Sequence, residues 1–224
     1  MQSVVLRARL ESALGERIPS PFTDLDLRVS EISPTGIAAV DTRVGGLPRG
    51  AITEICGPPS SGRTRVMLSI LAEAMACEEV CSLVDGNDAF DPASGIAAGV
   101  DLKRLLWVRC HKLEQVLKAT DLLLQGGGFG RVVVDLTDLP LSHLRSTPLA
   151  SWFRFQRTIE KTPTVLVVMT PESIVKSAAA LVLRLEMCGT DWSTLLNAMD
   201  VNVEIVRSRR KRLLISRFEI RISK

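Results

Sequence analysis

The segment Gly57-Pro58-Pro59-Ser60-Ser61-Gly62-Arg63-Thr64 has the residue types and spacing to hold a phosphate. It fits G-x-x-x-x-G-K-[ST] with arginine in the lysine's place, follows an apolar run ending at Cys56, and opens a helix-like stretch from about Arg63. The glycines let the backbone turn so that successive N–H groups converge on an anion, and a helix N-terminus adds its dipole. Gly57, Ser60, Ser61, Gly62, Arg63 and Thr64 are the candidate phosphate contacts, with the Thr64 hydroxyl placed to hold Mg²⁺. Arg63 keeps the charge and changes the chemistry, because a planar guanidinium cannot occupy the point of a compact ammonium. Positional errors of about 1 Å cost on the order of 100-fold in rate, so binding tolerates this exchange better than hydrolysis does. The alternative is an ordinary Gly/Pro/Ser turn with no nucleotide.

A carboxylate ends the apolar run Val132-Val133-Val134-Asp135, the position at which phosphate-loop proteins hold Mg²⁺. Near the C-terminus Arg207, Arg209, Arg210, Lys211 and Arg212 crowd one turn, with Arg217 and Arg221 behind. Cations so concentrated suit a nucleic-acid phosphate backbone. No aromatic residue interleaves them, which argues against base stacking. The plainer alternative is a solvated turn that shields an edge strand from aggregation. Trp152-Phe153-Arg154-Phe155 is either core or a partner surface, whereas Trp107, inside a strand, is expected in the core. Gly126-Gly127-Gly128 ends a helix before a strand and is no phosphate site. The five cysteines are an odd number spread through apolar segments, and His111 and His143 lack ligand-like spacing. Neither a disulfide framework nor a metal cluster follows.

These residues need a scaffold, and the hydropathy pattern supplies one. Strand-like runs at Ala51–Cys56, Val80–Val84, Leu105–Cys110, Arg131–Leu136, Thr164–Met169 and Ala180–Met187 are apolar nearly throughout. Helix-like stretches at Arg63–Ala76, Lys112–Leu124 and Ala150–Glu160 lie between most of them. That alternation predicts an α/β fold: a mostly parallel sheet with helices on both faces. From Val201 the pattern turns to strict alternation, Val201, Val203 and Ile205 and then Phe218, Ile220 and Ile222, which predicts an antiparallel C-terminal hairpin with one wet face.

Leu6, Leu10 and Leu14 mark an amphipathic helix over residues 3–15, and Pro19 and Pro21 begin a linker. The chain thus divides into an N-terminal helix and linker over 1–30 and one core domain over 31–224, with no separate C-terminal domain expected. With 46% apolar and 24% charged residues, no run long enough to span a bilayer and no signal-like start, a cytoplasmic globular protein is expected. The net charge of +3 is too mild to imply nucleic acid by itself, so only its clustering matters.

Motif order now points to a family. Gly45-Gly46-Leu47-Pro48-Arg49-Gly50-Ala51-Ile52-Thr53-Glu54-Ile55 before the phosphate loop resembles the approach to the ATP site of RecA recombinases. So do Leu83-Val84-Asp85-Gly86-Asn87-Asp88-Ala89-Phe90-Asp91-Pro92, Gly99-Val100-Asp101 and Leu105-Leu106. The resemblance is good over residues 32 to 138 and looser beyond, and it implies a RecA-like phosphate-loop fold that binds ATP and Mg²⁺. It also implies that Asp91 contacts adenine and that Thr64 and Asp135 hold the metal. Four positions depart from it. Arg63 replaces lysine, and Asn87 stands where the family's catalytic glutamate orients water. Ser94 stands where a tyrosine stacks on the base, in a chain with no tyrosine at all, and Thr170 replaces a glutamine. Only Pro171 to Ala179 stand where the family has a long DNA-binding loop.

Such a chain resembles the small RecA-like accessory proteins of ImuA type. That resemblance implies a role in SOS-induced translesion synthesis and DNA repair, with hydrolysis weak or absent. The implied partners are translesion polymerase components or RecA-type proteins, with DNA backbone and self-association through the N-terminal helix in addition. The alternatives are an active DNA-dependent ATPase and recombinase, or a nucleotide-free scaffold.

Overall fold

The computed structural model describes residues 31–192, 196–209 and 217–223. The helix and linker expected over 1–30 lie outside the described residues, as do Arg210, Lys211 and Arg212 of the basic turn and the side chain of Trp192.

The chain enters through β1 (Ile32–Ser33), which pairs antiparallel with β2 (Leu47–Pro48) around helix α1 (Ala38–Val44). Next come β3 (Ala51–Cys56), α2 (Arg63–Ala76), β4 (Cys81–Asp85), α3 (Pro92–Ala97), β5 (Leu105–Arg109) and α4 (Leu113–Gly126). They are followed by β6 (Arg131–Asp135), α5 (Leu141–Arg145), α6 (Leu149–Ile159) and β7 (Val165–Thr170). The last strands are β8 (Ala179–Trp192), β9 (Leu196–Ser208) and β10 (Arg217–Ser223).

Among the described residues eight strands form one sheet in the order β10-β9-β8-β3-β7-β6-β4-β5. The six from β8 to β5 in that order are parallel, and β9 and β10 continue antiparallel, as the hydropathy pattern requires. The central strands are apolar on both faces because both are covered. Val66, Met67, Ile70 and Leu71 of α2 pack on Ile55, Val133 and Val167. Val116 and Leu124 of α4 and Trp152, Phe155 and Ile159 of α6 pack on Ile52, Val134 and Val168 from the other side. Trp152 and Phe155 are therefore core, meeting edge to face at 5.9 Å, and Phe153 and Arg154 of that run are exposed.

Two expectations need correction. Trp107 is half-buried rather than core, because β5 is the outer strand of the sheet and has a neighbour on one side only. β8 also runs past Met187 to Trp192 and pairs antiparallel with β9, while the expected antiparallel C-terminal hairpin is present as β9 and β10. Register irregularities at Met187/Gly189 and Asp191/Trp192 carry the ladder through a polar stretch that shows no alternation.

Arg131 is a feature that periodicity does not disclose. Its side chain is fully buried, yet its guanidinium donates to the carbonyls of Ile70 and Pro34 and to Ser33 Oγ at 2.8 Å. Glu79 lies 4.0 Å from Arg131 and pairs with Arg49 at 2.5 Å. One cation thus binds the entering segment, α2 and β6 together, and burying it is tolerable because both terminal nitrogens donate and the Glu79 carboxylate lies near Nε. On the wet face of β8, β9 and β10, Arg184 pairs with Glu204, Arg217 with Glu186 and Arg221 with Asp191. These pairs are exposed and add little stability. No helix among the described residues is long and apolar enough to cross a membrane.

Candidate functional site

The carboxyl ends of four parallel strands finish side by side. Cys56 lies opposite Thr170, Met169 opposite Asp135, and Asp135 opposite Asp85. Open α/β sheets bind ligands in the crevice beyond such ends. The phosphate loop leaves β3 there, with the Gly57 N–H donating to the Thr170 carbonyl at 3.3 Å and the Ser61 N–H to that of Pro58 at 3.2 Å. Ser60 and Gly62 take φ of 63° and 87°, the left-handed turn that draws consecutive N–H groups inward. Gly62 caps α2 without any side-chain bond, which leaves the helix's first donors to a ligand. Ser61 is buried and its hydroxyl has no partner among the described residues. A Cβ on Gly57 would overlap the Leu185 carbonyl and sit 2.6 Å from Ser61 Oγ, so the cradle is closed from below. Pro58, Pro59, Ser60 and Thr64 are exposed on its rim. An orphan buried hydroxyl above a glycine-only floor fits a bound phosphate.

Arg63 does not extend into that cradle. The residue is 7% exposed, and its guanidinium donates to the Thr170 carbonyl at 2.9 Å. Burial lowers its hold on the proton, while Asp135 and Asp138 act in the opposite sense. Both ends of the phosphate loop therefore converge on one carbonyl oxygen.

Asp135 accepts the Thr137 N–H at 3.0 Å. Although part of its surface is open, burial pushes its carboxyl above the usual range, Asp85 and Asp138 add to the rise, and the Thr137 bonds oppose it. A carboxyl with a raised folded pKa binds its proton more tightly folded than unfolded. Its stabilising contribution is thus complete below the unfolded value of 3.8 and is lost as pH rises through the folded value. In metal-free protein, Asp135→Asn should raise the melting temperature at about pH 8 and give no gain near pH 3.5, measured by thermal melts across that range. A variant less stable than the parent at the upper pH would contradict the assigned burial cost.

Asp85 organises the loop beyond β4. Its buried carboxylate accepts the N–H groups of Asn87 (3.3 Å), Ala89 (3.1 Å) and Phe90 (2.9 Å) and the Trp107 indole (3.1 Å). Phe90 meets Trp107 edge to face at 5.2 Å. Asp88 makes two 2.6 Å bonds to Arg109, which lies over the Trp107 ring, and these hold the Asp88 carboxyl below its usual range. Asn87 is exposed on this frame. Asp91 caps α3, accepting from the N–H groups of Ala93 and Ser94 and from the Ser94 hydroxyl at 2.5 Å. The residue standing in the place of a stacking ring is thus bonded back to the cap.

The structure gathers Gly57, Ser60, Ser61, Gly62, Arg63, Thr64, Asp135 and Asn87 at one end of the sheet. It places the described part of the basic turn at the other. Arg209 N–H donates to the Ala180 carbonyl beside Ala179, which pairs with Ile52 near the amino end of β3. The Arg207 and Arg209 side chains donate to the carbonyls of Lys176 and Ser177. Both remain exposed and charged.

Glu54 escaped the sequence reading. Fully buried in β3, it accepts the N–H groups of Ile174 (2.6 Å) and Val175 (3.1 Å) and the hydroxyls of Ser173 (2.6 Å) and Thr170 (3.4 Å). A carboxylate inside the run Ala51–Cys56, buried on both faces, had to have such partners. That demand was the available signal.

The RecA N-terminal domain family matches residues 21–140, more than half of the chain. The chain belongs to this family. RecA of Symbiobacterium thermophilum is 47% identical over 107 residues, which are 47% of this chain and 31% of that protein. RecA of Thermotoga neapolitana is 44% identical over 107 residues, 47% of this chain and 30% of that protein. The chain therefore spans about a third of the length of these curated RecA relatives. The crystal structure of the RadB recombinase superposes with a TM-score of 0.65 at 17% identity, covering 84% of this chain and 95% of that one, and shares its fold. Arg63, Asn87, Ser94 and Thr170 thus lie in a RecA-type framework, and the segment after Thr170 is short and pinned by Glu54.

Proposed function

We propose that this chain is a RecA-like nucleotide-binding accessory protein of bacterial DNA repair, of the ImuA type. In this reading it binds ATP with Mg²⁺, hydrolyses it weakly or not at all, and supports SOS-induced translesion synthesis through contacts with other proteins. The observation that carries the reading is Asn87. An amide can orient a water but cannot accept its proton. No neighbouring carboxylate substitutes for it, since Asp85 accepts four donors and Asp88 is paired with Arg109.

The residues that would hold the nucleotide are the backbone of the phosphate loop from Gly57 to Thr64 and the orphan Ser61 hydroxyl. Thr64 and Asp135 would hold Mg²⁺, which supplies charge neutralisation on the phosphates. Asp91 would reach the base from the cap of α3. Translesion polymerase components or RecA-type proteins are the proposed partners, with self-association through residues 3–15 and a cytoplasmic location. The basic turn from Arg207 to Arg212 would bind DNA backbone; its described residues, Arg207 and Arg209, lie at the end of the sheet remote from the phosphate loop.

The test is phosphate release from ATP·Mg²⁺, with and without single-stranded DNA. A positioned base contributes roughly 10²- to 10⁴-fold, so turnover at background level in both conditions is expected. Robust DNA-stimulated turnover would establish the active ATPase instead. A melting temperature unmoved by ATP·Mg²⁺ would leave only a scaffold.

A further inference from the structure

We infer that the phosphate loop reads a nucleoside diphosphate, binding ADP and ATP with similar affinity, because the cation heading α2 is committed within the protein. The inference rests on the proposed nucleotide site and says which part of the nucleotide that site recognises.

Three observations support it. First, Arg63 is packed beneath the loop with its guanidinium on the Thr170 carbonyl at 2.9 Å. To serve a third phosphate it would have to give up a buried, charge-assisted bond and leave that carbonyl to the Gly57 N–H at 3.3 Å. Second, Arg63 is 7% exposed whereas Ser60 and Thr64 on the rim are exposed, so little of the side chain is open to an added phosphate. Third, the cations level with the neighbouring strand ends are already paired, Arg184 opposite Cys56 with Glu204 and Arg109 opposite Asp85 with Asp88. Asp85 and Asp135 are acids, and the Thr170 hydroxyl is turned to Glu54 at 3.4 Å. Asn87 carries only a neutral amide.

What remains is the ring of backbone donors, Ser61 and Thr64, which a diphosphate already engages. A phosphate loop is ordinarily completed by a lysine that reaches the β- and γ-phosphates from this position. Here the arginine's planar fork is satisfied by a protein carbonyl, and a lysine could not reproduce that arrangement.

Calorimetry on the full chain with ADP·Mg²⁺ and with a non-hydrolysable ATP analogue·Mg²⁺ decides the matter. The two dissociation constants are expected to agree within about threefold, and AMP to bind at least about tenfold more weakly. Tenfold or greater preference for the triphosphate would overturn the inference and leave the nucleotide site intact. No binding of either would remove that site, and the inference with it. In Arg63→Lys, the freed ammonium should restore a triphosphate preference of about tenfold. An unchanged ratio in a variant that still binds ADP would show that Arg63 is not its cause.

Discussion

Glu54→Ala is expected to lower the stability of the folded chain by about 3 to 5 kcal/mol, because several buried neutral donors lose their common acceptor. The argument is local. The carboxylate accepts from Ile174 N–H, Val175 N–H, Ser173 Oγ and Thr170 Oγ, and Glu54, Thr170, Ile174 and Val175 are all buried. Alanine leaves those donors without acceptors and opens a cavity between β3 and the crossing segment. Each unsatisfied buried group costs roughly 1–3 kcal/mol. Glutamine should recover most of the loss, because Ile174 N–H, Val175 N–H and Thr170 Oγ all bond the same Oε1, which a carboxamide oxygen can supply, while its NH₂ would donate to Ser173 Oγ. For a chain of this size the loss corresponds to a fall in melting temperature on the order of 10 °C. Thermal and urea melts of Glu54→Ala and Glu54→Gln measure it. A shift of less than about 1 kcal/mol in Glu54→Ala would mean that the segment is held by its apolar contacts alone.

Gly57→Ala is expected to reduce nucleotide affinity by about 100-fold or more, equivalent to roughly 2.7 kcal/mol. An added methyl would collide with the Leu185 carbonyl, which belongs to the β8 ladder and cannot move aside, and would press on Ser61 Oγ at 2.6 Å. The loop would have to rise off its floor, carrying the inward-turned N–H groups out of convergence. Overpacking of this kind also costs about 1–3 kcal/mol of folding stability. Calorimetry with ADP·Mg²⁺ beside a thermal melt separates the two effects. Unchanged affinity in a folded variant would sink the assignment of this loop as the phosphate cradle.

Much of the scaffold could be read in advance because its signals are local. α2 begins at Arg63 and ends at Ala76 as expected, since the Gly62 turn starts it and the apolar spacing sustains it. The central strands follow from continuous apolar runs that only a doubly covered sheet can bury. What escaped depends on distant partners. Glu54 meets Ile174 across 120 positions and Arg131 meets Ser33 across 98, and no window of sequence contains both members of either pair. Trp107 was misplaced for a related reason, because strand order decides that β5 is outermost. The extension of β8 through Cys188-Gly189-Thr190-Asp191 was hidden by a ladder that tolerates residues with no alternation. At the site, the loop and the positions of Asn87 and Asp135 were legible. The seating of Arg63 on Thr170 was not, since a side chain's direction is set by the packing around it.

Residues 171–178 cross the sheet from the carboxyl end of β7 to the amino end of β8, and they are held along the way. Thr170 is clasped at one pole, Ile174 and Val175 hang on Glu54 midway, and Lys176 and Ser177 are gripped by arginines at the other. A span tied at three points has no slack to give. Added residues would have to arch outward and drag Ile174 and Val175 from the core, so lengthening by single insertions would meet its heaviest penalty at the first step. Lengthening is therefore the change that this strut resists most.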